Sequence, residues 1–147
     1  MKKQAYTMIA MIVLVGSMAV AAQGQTSGYT RLIANIPFEF KVGNKTLPAG
    51  EYAVSQVNPA SDRVVLQLRR KDGSASALVQ MNSVIGKAQE SAKLIFHRYG
   101  NSYFFAQAWV DGETFGLEAP KSRVERAIGS ELASSERRTA TVALSRR

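Results

Sequence analysis

The chain of 147 residues has no cysteine, one histidine (His97) and four prolines. Without cysteine there is no disulfide scaffold, no thiol nucleophile, no iron–sulfur cluster and no Cys-ligated zinc. A single histidine leaves one imidazole for any nucleophile–histidine–acid arrangement. The chain has no G-x-S-x-G, HExxH, P-loop or G-x-G-x-x-G signature, so the sequence points to no catalytic residue, no metal-ligand set and no cofactor. Acidic residues are also scarce. Eleven Asp and Glu face nineteen Lys and Arg, a formal charge of +8.

Long apolar runs are scarce too. A membrane span needs about 20 apolar residues. The longest stretch, Met8 to Ala22, is shorter than that and is interrupted by Gly16 and Ser17. Its setting has the three parts of a secretory signal peptide: Lys2 and Lys3, then the apolar run, then small residues at Ala19, Ala21 and Ala22. Signal peptidase requires small side chains at the −3 and −1 positions, so the expected cut follows Ala21 or Ala22. No membrane span remains after cleavage. The expected location is outside the cytoplasm, periplasmic or extracellular.

The aromatics mark the folded part. All but Tyr6 lie between Tyr29 and Phe115, and large side chains are what a core needs. Residues 1–22 therefore read as signal peptide, 23–28 as a flexible leader, 29–118 as a β domain, and 119–147 as a basic helix and tail with a terminal strand available. Within the β domain the apolar period is two. Ala34, Ile36, Phe38, Phe40 and Val42 alternate with polar residues as one strand, with Pro37 suggesting an edge. Gly43-Asn44 and Pro48-Ala49-Gly50 are turn signals, and Tyr52 and Val54 begin the next strand.

Two hairpins are legible. Asp72-Gly73 favours a type I′ turn, which pairs Leu68 with Ala77, Leu66 with Val79 and Val64 with Met81. Gly100-Asn101 favours type II′, which pairs Phe96 with Phe105, Ile95 with Ala106 and His97 with Phe104. Phe115 and Leu117 suggest one more short strand. Val124, Ala127, Ile128 and Leu132 share a helical face, predicting a helix from about Pro120 to Ser134, and Thr139 to Leu144 alternates again. The fold class is mainly β: an antiparallel β-sandwich or small barrel of about 6–8 strands with one C-terminal helix.

Three surfaces or clusters are candidates for function. Phe38, Phe40, Phe96, Phe105 and Trp109 could line a cavity for a small apolar ligand, as small barrels sometimes do, although such residues are more often packed core. Arg69, Arg70 and Lys71 crowd one hairpin tip and could meet a polyanion, while the basic tail adds Arg137, Arg138, Arg146 and Arg147. The alternative role of tip charges is to discourage strand-to-strand aggregation. Glu39, Glu51, Asp111, Glu113 and Glu118 would support a hydrolase only if two of them stood roughly 5–10 Å apart across a cleft. Asp111-Gly112-Glu113 is only a fragment of a calcium loop.

The stretch from Ile36 to Tyr52, with the pattern IPFxFxVGxKxLPAGxY, and the later Pro120-Lys121-Ser122-Arg123 segment resemble an uncharacterised family of small exported bacterial β-rich proteins. The resemblance implies export and a β-rich fold, and it carries no catalytic residue. The leading expectation is a non-catalytic exported binding or structural module of the cell envelope. Its partner would be an anionic envelope polymer or another envelope protein, with nucleic acid not expected. The alternatives are a carrier of a small apolar ligand and a carboxylate-dependent hydrolase.

Overall fold

The computed structural model describes residues 31–132 and 138–146. The segments read as signal peptide and leader, together with Arg137 and Arg147, lie outside the described residues. Among these described residues ten strands and one helix follow in order: β1 Leu32–Ile36, β2 Phe40–Val42, β3 Lys45–Leu47, β4 Gly50–Gln56, β5 Val64–Arg70, β6 Ser76–Ile85, β7 Lys93–Tyr99, β8 Ser102–Trp109, β9 Phe115–Glu118, α1 Arg123–Glu131 and β10 Arg138–Arg146. Eight of the strands close a ring in the order β8-β7-β10-β1-β4-β5-β6-β9 and back to β8, every neighbouring pair antiparallel. The fold is a closed antiparallel barrel with a C-terminal helix, and the barrel form of the expected architecture is the one adopted.

Closure depends on the C-terminal segment. The Thr139–Leu144 alternation, set apart in the sequence by its lack of aromatics, is β10, which fills the place between β7 and β1. Its Val142 and Leu144 are buried among the core side chains.

The strand read from Ala34 to Val42 is two strands. Pro37 has no N–H to give a ladder, and pairing with β4 ends at Ile36 opposite Gly50. The chain then crosses the lower end of the barrel, the end carrying Ile36, Gly50, Arg70 and Tyr99. It resumes as β2, parallel to β8 at Lys41 opposite Phe104. Further along β8, Gln107, Ala108 and Trp109 pair with β9 instead. The β2–β3 hairpin thus occupies the seam that short β9 leaves open, and its Phe40, Val42 and Leu47 join the core.

The pairings read across Asp72-Gly73 all occur, but the turn differs. Only Gly73, at φ +75°, is left-handed, whereas type I′ requires both central residues to be so. Arg70 N–H donates to Ala75 O at 2.8 Å and Gly73 N–H donates to Arg70 O at 2.8 Å, which closes a wider loop. Asp72 Oδ1 accepts from Ser74 N–H at 2.9 Å and from Ser74 Oγ–H at 2.6 Å. These bonds hold the Asp72 carboxyl below the ordinary aspartate range. They also stabilise a non-I′ backbone, which is why the dipeptide rule misses.

At the second hairpin Gly100 alone is left-handed, at φ +57°, as type II′ requires. Phe96 faces Phe105 and His97 faces Phe104. Beyond that point the register shifts, and Ile95 faces Gln107 rather than Ala106. The additional residue on β8 is Ala106, whose carbonyl accepts from Ala119 N–H at 2.8 Å. The bulge therefore serves the chain leaving β9.

Candidate functional site

The barrel interior comes first, because a ligand carrier would need it empty. Phe40 lies edge-on to Tyr52 with ring centroids 5.2 Å apart and to Phe96 at 5.4 Å; Phe96 in turn meets Phe105 at 5.8 Å and Phe38 at 5.2 Å. Four of the five proposed lining residues are therefore brought together, but against one another, at the spacing of packed aromatic pairs. The aliphatic layers above them are equally covered. Val54, Leu66 and Leu94 have 0% exposure. A void able to hold a ligand would leave its lining with accessible surface, so these side chains are filled space.

The fifth residue, Trp109, is not in that cluster. It alternates with the inward-facing Ala108 and Val110 and lies on the outer wall. There its indole covers Gly116, its cross-strand partner, and its rim touches Gly86. A Cβ built on Gly116 would stand 2.6 Å from the indole, so the ring occupies space that any other residue at that position would fill. Trp109 Nε1–H donates to Gln107 Oε1 at 3.0 Å, and Gln107 donates onward to Glu118 at 3.2 Å.

The cationic tip is partly neutralised by its own neighbours. Arg70 stands 3.6 Å from Asp72 and donates to Ser74, while Lys71 stands 3.3 Å from Glu51. Only Arg69 of the three remains exposed without such an ion pair among the described residues. In the tail, Arg146 pairs with Asp111 at 3.1 Å. These contacts also engage the scattered carboxylates: Glu51, Asp111 and Glu118 each have a basic or amide partner. Tyr52, whose hydroxyl donates to Pro48 O at 2.6 Å, has its phenol pushed above the ordinary range by burial, against the opposing influence of Arg70.

A polar cluster that sequence reading missed lies under the helix. Glu125 is 4% exposed and is the buried residue of α1. Its Oε1 is 2.7 Å from His97 Nδ1 and accepts from the Tyr99 hydroxyl at 3.3 Å. The helix begins at Arg123 rather than Pro120, because Ser122 is the N-cap and its Oγ accepts from Glu125 N–H at 3.1 Å. Val124, one of the apolar residues expected to face the barrel, is exposed. The barrel-facing side instead carries Glu125 and, one turn on, Gly129, which lies against the Tyr99 ring. The Ser122-x-x-Glu125 spacing of a capping box was the available signal. Of the apolar face read from the sequence, Ile128 and Leu132 are half-buried while Val124 and Ala127 are exposed, because the helix is turned to bury the paired carboxylate of Glu125.

His97 and Glu125 are oriented like the base and acid of a catalytic triad, but no serine or threonine hydroxyl bonds to His97 among the described residues. The same residues contain no grouping of three His, Asp or Glu able to hold a metal. The chemistry the arrangement supports is attachment: one carboxylate ties a helix to two strand residues. Glu125→Ala should strand both partners and cost about 1.5–3 kcal/mol, the range for losing a charge-assisted hydrogen bond. It should also open α1 to trypsin at Arg123 and Arg126. A double-mutant cycle with His97→Ala, read by urea unfolding, should show coupling above about 1 kcal/mol; strictly additive losses would mean that the pair does not hold the helix.

The class defined by this geometry, over the described residues, is a closed antiparallel β-barrel with a C-terminal helix clamped to its outer wall. No protein-family model, no curated protein and no solved structure matches the chain. None of the described helices is long and apolar enough to cross a membrane.

Proposed function

We propose that the protein is an exported, non-catalytic binding module of the bacterial cell envelope, of the kind its Ile36–Tyr52 motif resembles. The observation that supports this reading is the mutual packing of the inward aromatics Phe38, Phe40, Phe96 and Phe105. Together with the lack of a serine or threonine hydroxyl on His97 among the described residues, it favours recognition at the outer wall and the barrel ends. The N-terminal Lys2-Lys3 region, apolar run and Ala-x-Ala spacing support export.

Host-cell fractionation with mass spectrometry of the N-terminus tests the export half of the proposal. The expected product is a chain beginning at Ala22 or Gln23 in the periplasmic or extracellular fraction. Recovery of the full-length chain from the cytoplasm or from an integral-membrane fraction would reject it.

A further inference from the structure

The upper end of the barrel carries a platform built from two loops. β6 and β9 run on past their last core residues, Met81 and Leu117, to Ile85 and Phe115, which are cross-strand partners. Beyond them Gly86 N–H donates to Thr114 O at 2.8 Å, and Gly112 N–H donates to Gln89 O at 2.8 Å. The β6–β7 and β8–β9 loops are thereby joined to each other. Arg146, at the end of β10, stands 3.1 Å from Asp111 and ties the same platform to the barrel wall.

One side of this ribbon is braced and the other is bare. The Trp109 indole lies behind Gly86 and Gly116, so close that a Cβ built on either would stand 2.6 Å from the ring. Side chains alternate between the two faces of a strand, so Ile85 and Phe115 point away from the indole. They are 76% and 59% exposed. A bonded backbone backed by a packed indole holds these two apolar side chains in place before a partner arrives, which lowers the entropic cost of covering them.

Lys87 lies two residues beyond Ile85 and Glu113 two before Phe115, a cation on the β6 side of the ribbon and an anion on the β9 side. Both are exposed, and neither forms an ion pair among the described residues. The signs therefore balance around the apolar pair, on a chain whose formal charge is +8. Two copies of so basic a chain repel over most of their surface, and contact is favoured where the signs cancel.

Going beyond the envelope-module reading, and independently of export, we infer that this platform is a self-association face whose partner is a second copy of the chain. A two-fold axis lying in the interface, parallel to the strands and midway between β6 and β9, exchanges the two sides of the ribbon. It packs Ile85 against the partner's Phe115 and sets Lys87 opposite the partner's Glu113, each contact occurring twice. An anionic bilayer fits less well, because the Glu113 carboxylate beside Phe115 would face its headgroups. The platform is small against the roughly 1,200–2,000 Å² that a stable dimer buries, so the association is weak, with a Kd on the order of 100 μM. At the low micromolar concentrations of native mass spectrometry the chain is a monomer.

Sedimentation equilibrium of the purified protein from about 10 μM to about 1 mM tests this. Phe115→Ser and Ile85→Ser should each weaken dimerisation about tenfold, the loss expected for one buried apolar contact. Leu78→Ser, at a residue 61% exposed on the outer wall of β6, should leave it unchanged. Lys87→Glu and Glu113→Lys should each be monomeric, since like charges then meet twice. An equimolar mixture of those two variants should dimerise again, because each copy supplies the sign the other lacks. Near-ultraviolet circular dichroism, expected to match the parent in every variant, separates lost association from lost folding. A parent that stays monomeric at the highest concentration, dimerisation unaffected by Phe115→Ser, a charge-reversed mixture that stays monomeric, or capture of monomers by phosphatidylglycerol vesicles without self-association would each overturn the inference. Fractionation of the host tests the envelope reading separately, because sedimentation uses purified protein.

Discussion

A chain truncated after Leu132 is expected not to fold, although the missing segment has no aromatic residue. The truncation removes β10, and with it the ladders to β7 from Arg98↔Arg138 to Lys93↔Ala143 and to β1 from Leu32↔Arg146 to Ala34↔Leu144. Two strands of the ring would become edges with unpaired N–H and C=O groups. Val142 and Leu144 would leave a slot in the core. The expected result is loss of the near-ultraviolet circular dichroism of the packed aromatics, with aggregation during expression. A synthetic peptide spanning β10 added to the truncated chain should restore part of that signal. A soluble truncated barrel with an unchanged spectrum would show that β10 is an accessory to a barrel that closes without it.

The second large effect is expected inside. Phe96 is fully buried and touches the rings of Phe38, Phe40 and Phe105. Phe96→Ala removes the shared member of that aromatic cluster and should cost about 3–5 kcal/mol, the usual range for a buried aromatic truncated in a rigid core. That corresponds to a fall in Tm on the order of 15 °C for a domain of this size. The size of the loss carries information beyond stability. In a barrel that normally holds a ligand, Phe96 would border existing space and its truncation would add little new cavity. A loss below about 1 kcal/mol in ligand-free protein would indicate such a pre-existing space.

The legible and illegible parts of this fold divide along physical lines. The Leu66–Val79 and Phe96–Phe105 pairings could be read because turn residues and a period of two fix register locally. The closing strand could be read as a strand, from Thr139 to Leu144, but not placed. Its partners Leu94 and Ala34 are distant in sequence, and nothing local specifies which edges a final strand will join. The break at Pro37 was visible as a missing donor, whereas the crossing it permits depends on β9 being too short to line all of β8.

The candidate surfaces show the same division. Trp109 groups with the core aromatics by composition, and the bulge at Ala106, with Gly116 as the cross-strand partner of Trp109, is what accommodates its ring on the outer wall. The tip cations Arg70 and Lys71 read as a free patch until Asp72 and Glu51 are seen beside them. Ile85 and Phe115, separated by thirty residues of chain, become neighbours only through the long-range ladder. Glu125 was the least legible of all, because a buried carboxylate resembles any other polar helix position until its partners on a separate strand are known.

Native mass spectrometry of the mature protein purified from its host tests most directly the claim that the barrel is a filled scaffold acting through its exterior. The account predicts a single species with the bare mass of a chain beginning at Ala22 or Gln23, and no small apolar molecule released on denaturation. A stoichiometric adduct that survives gentle ionisation and is freed only when the barrel unfolds would contradict it, and would place the protein's function inside the barrel.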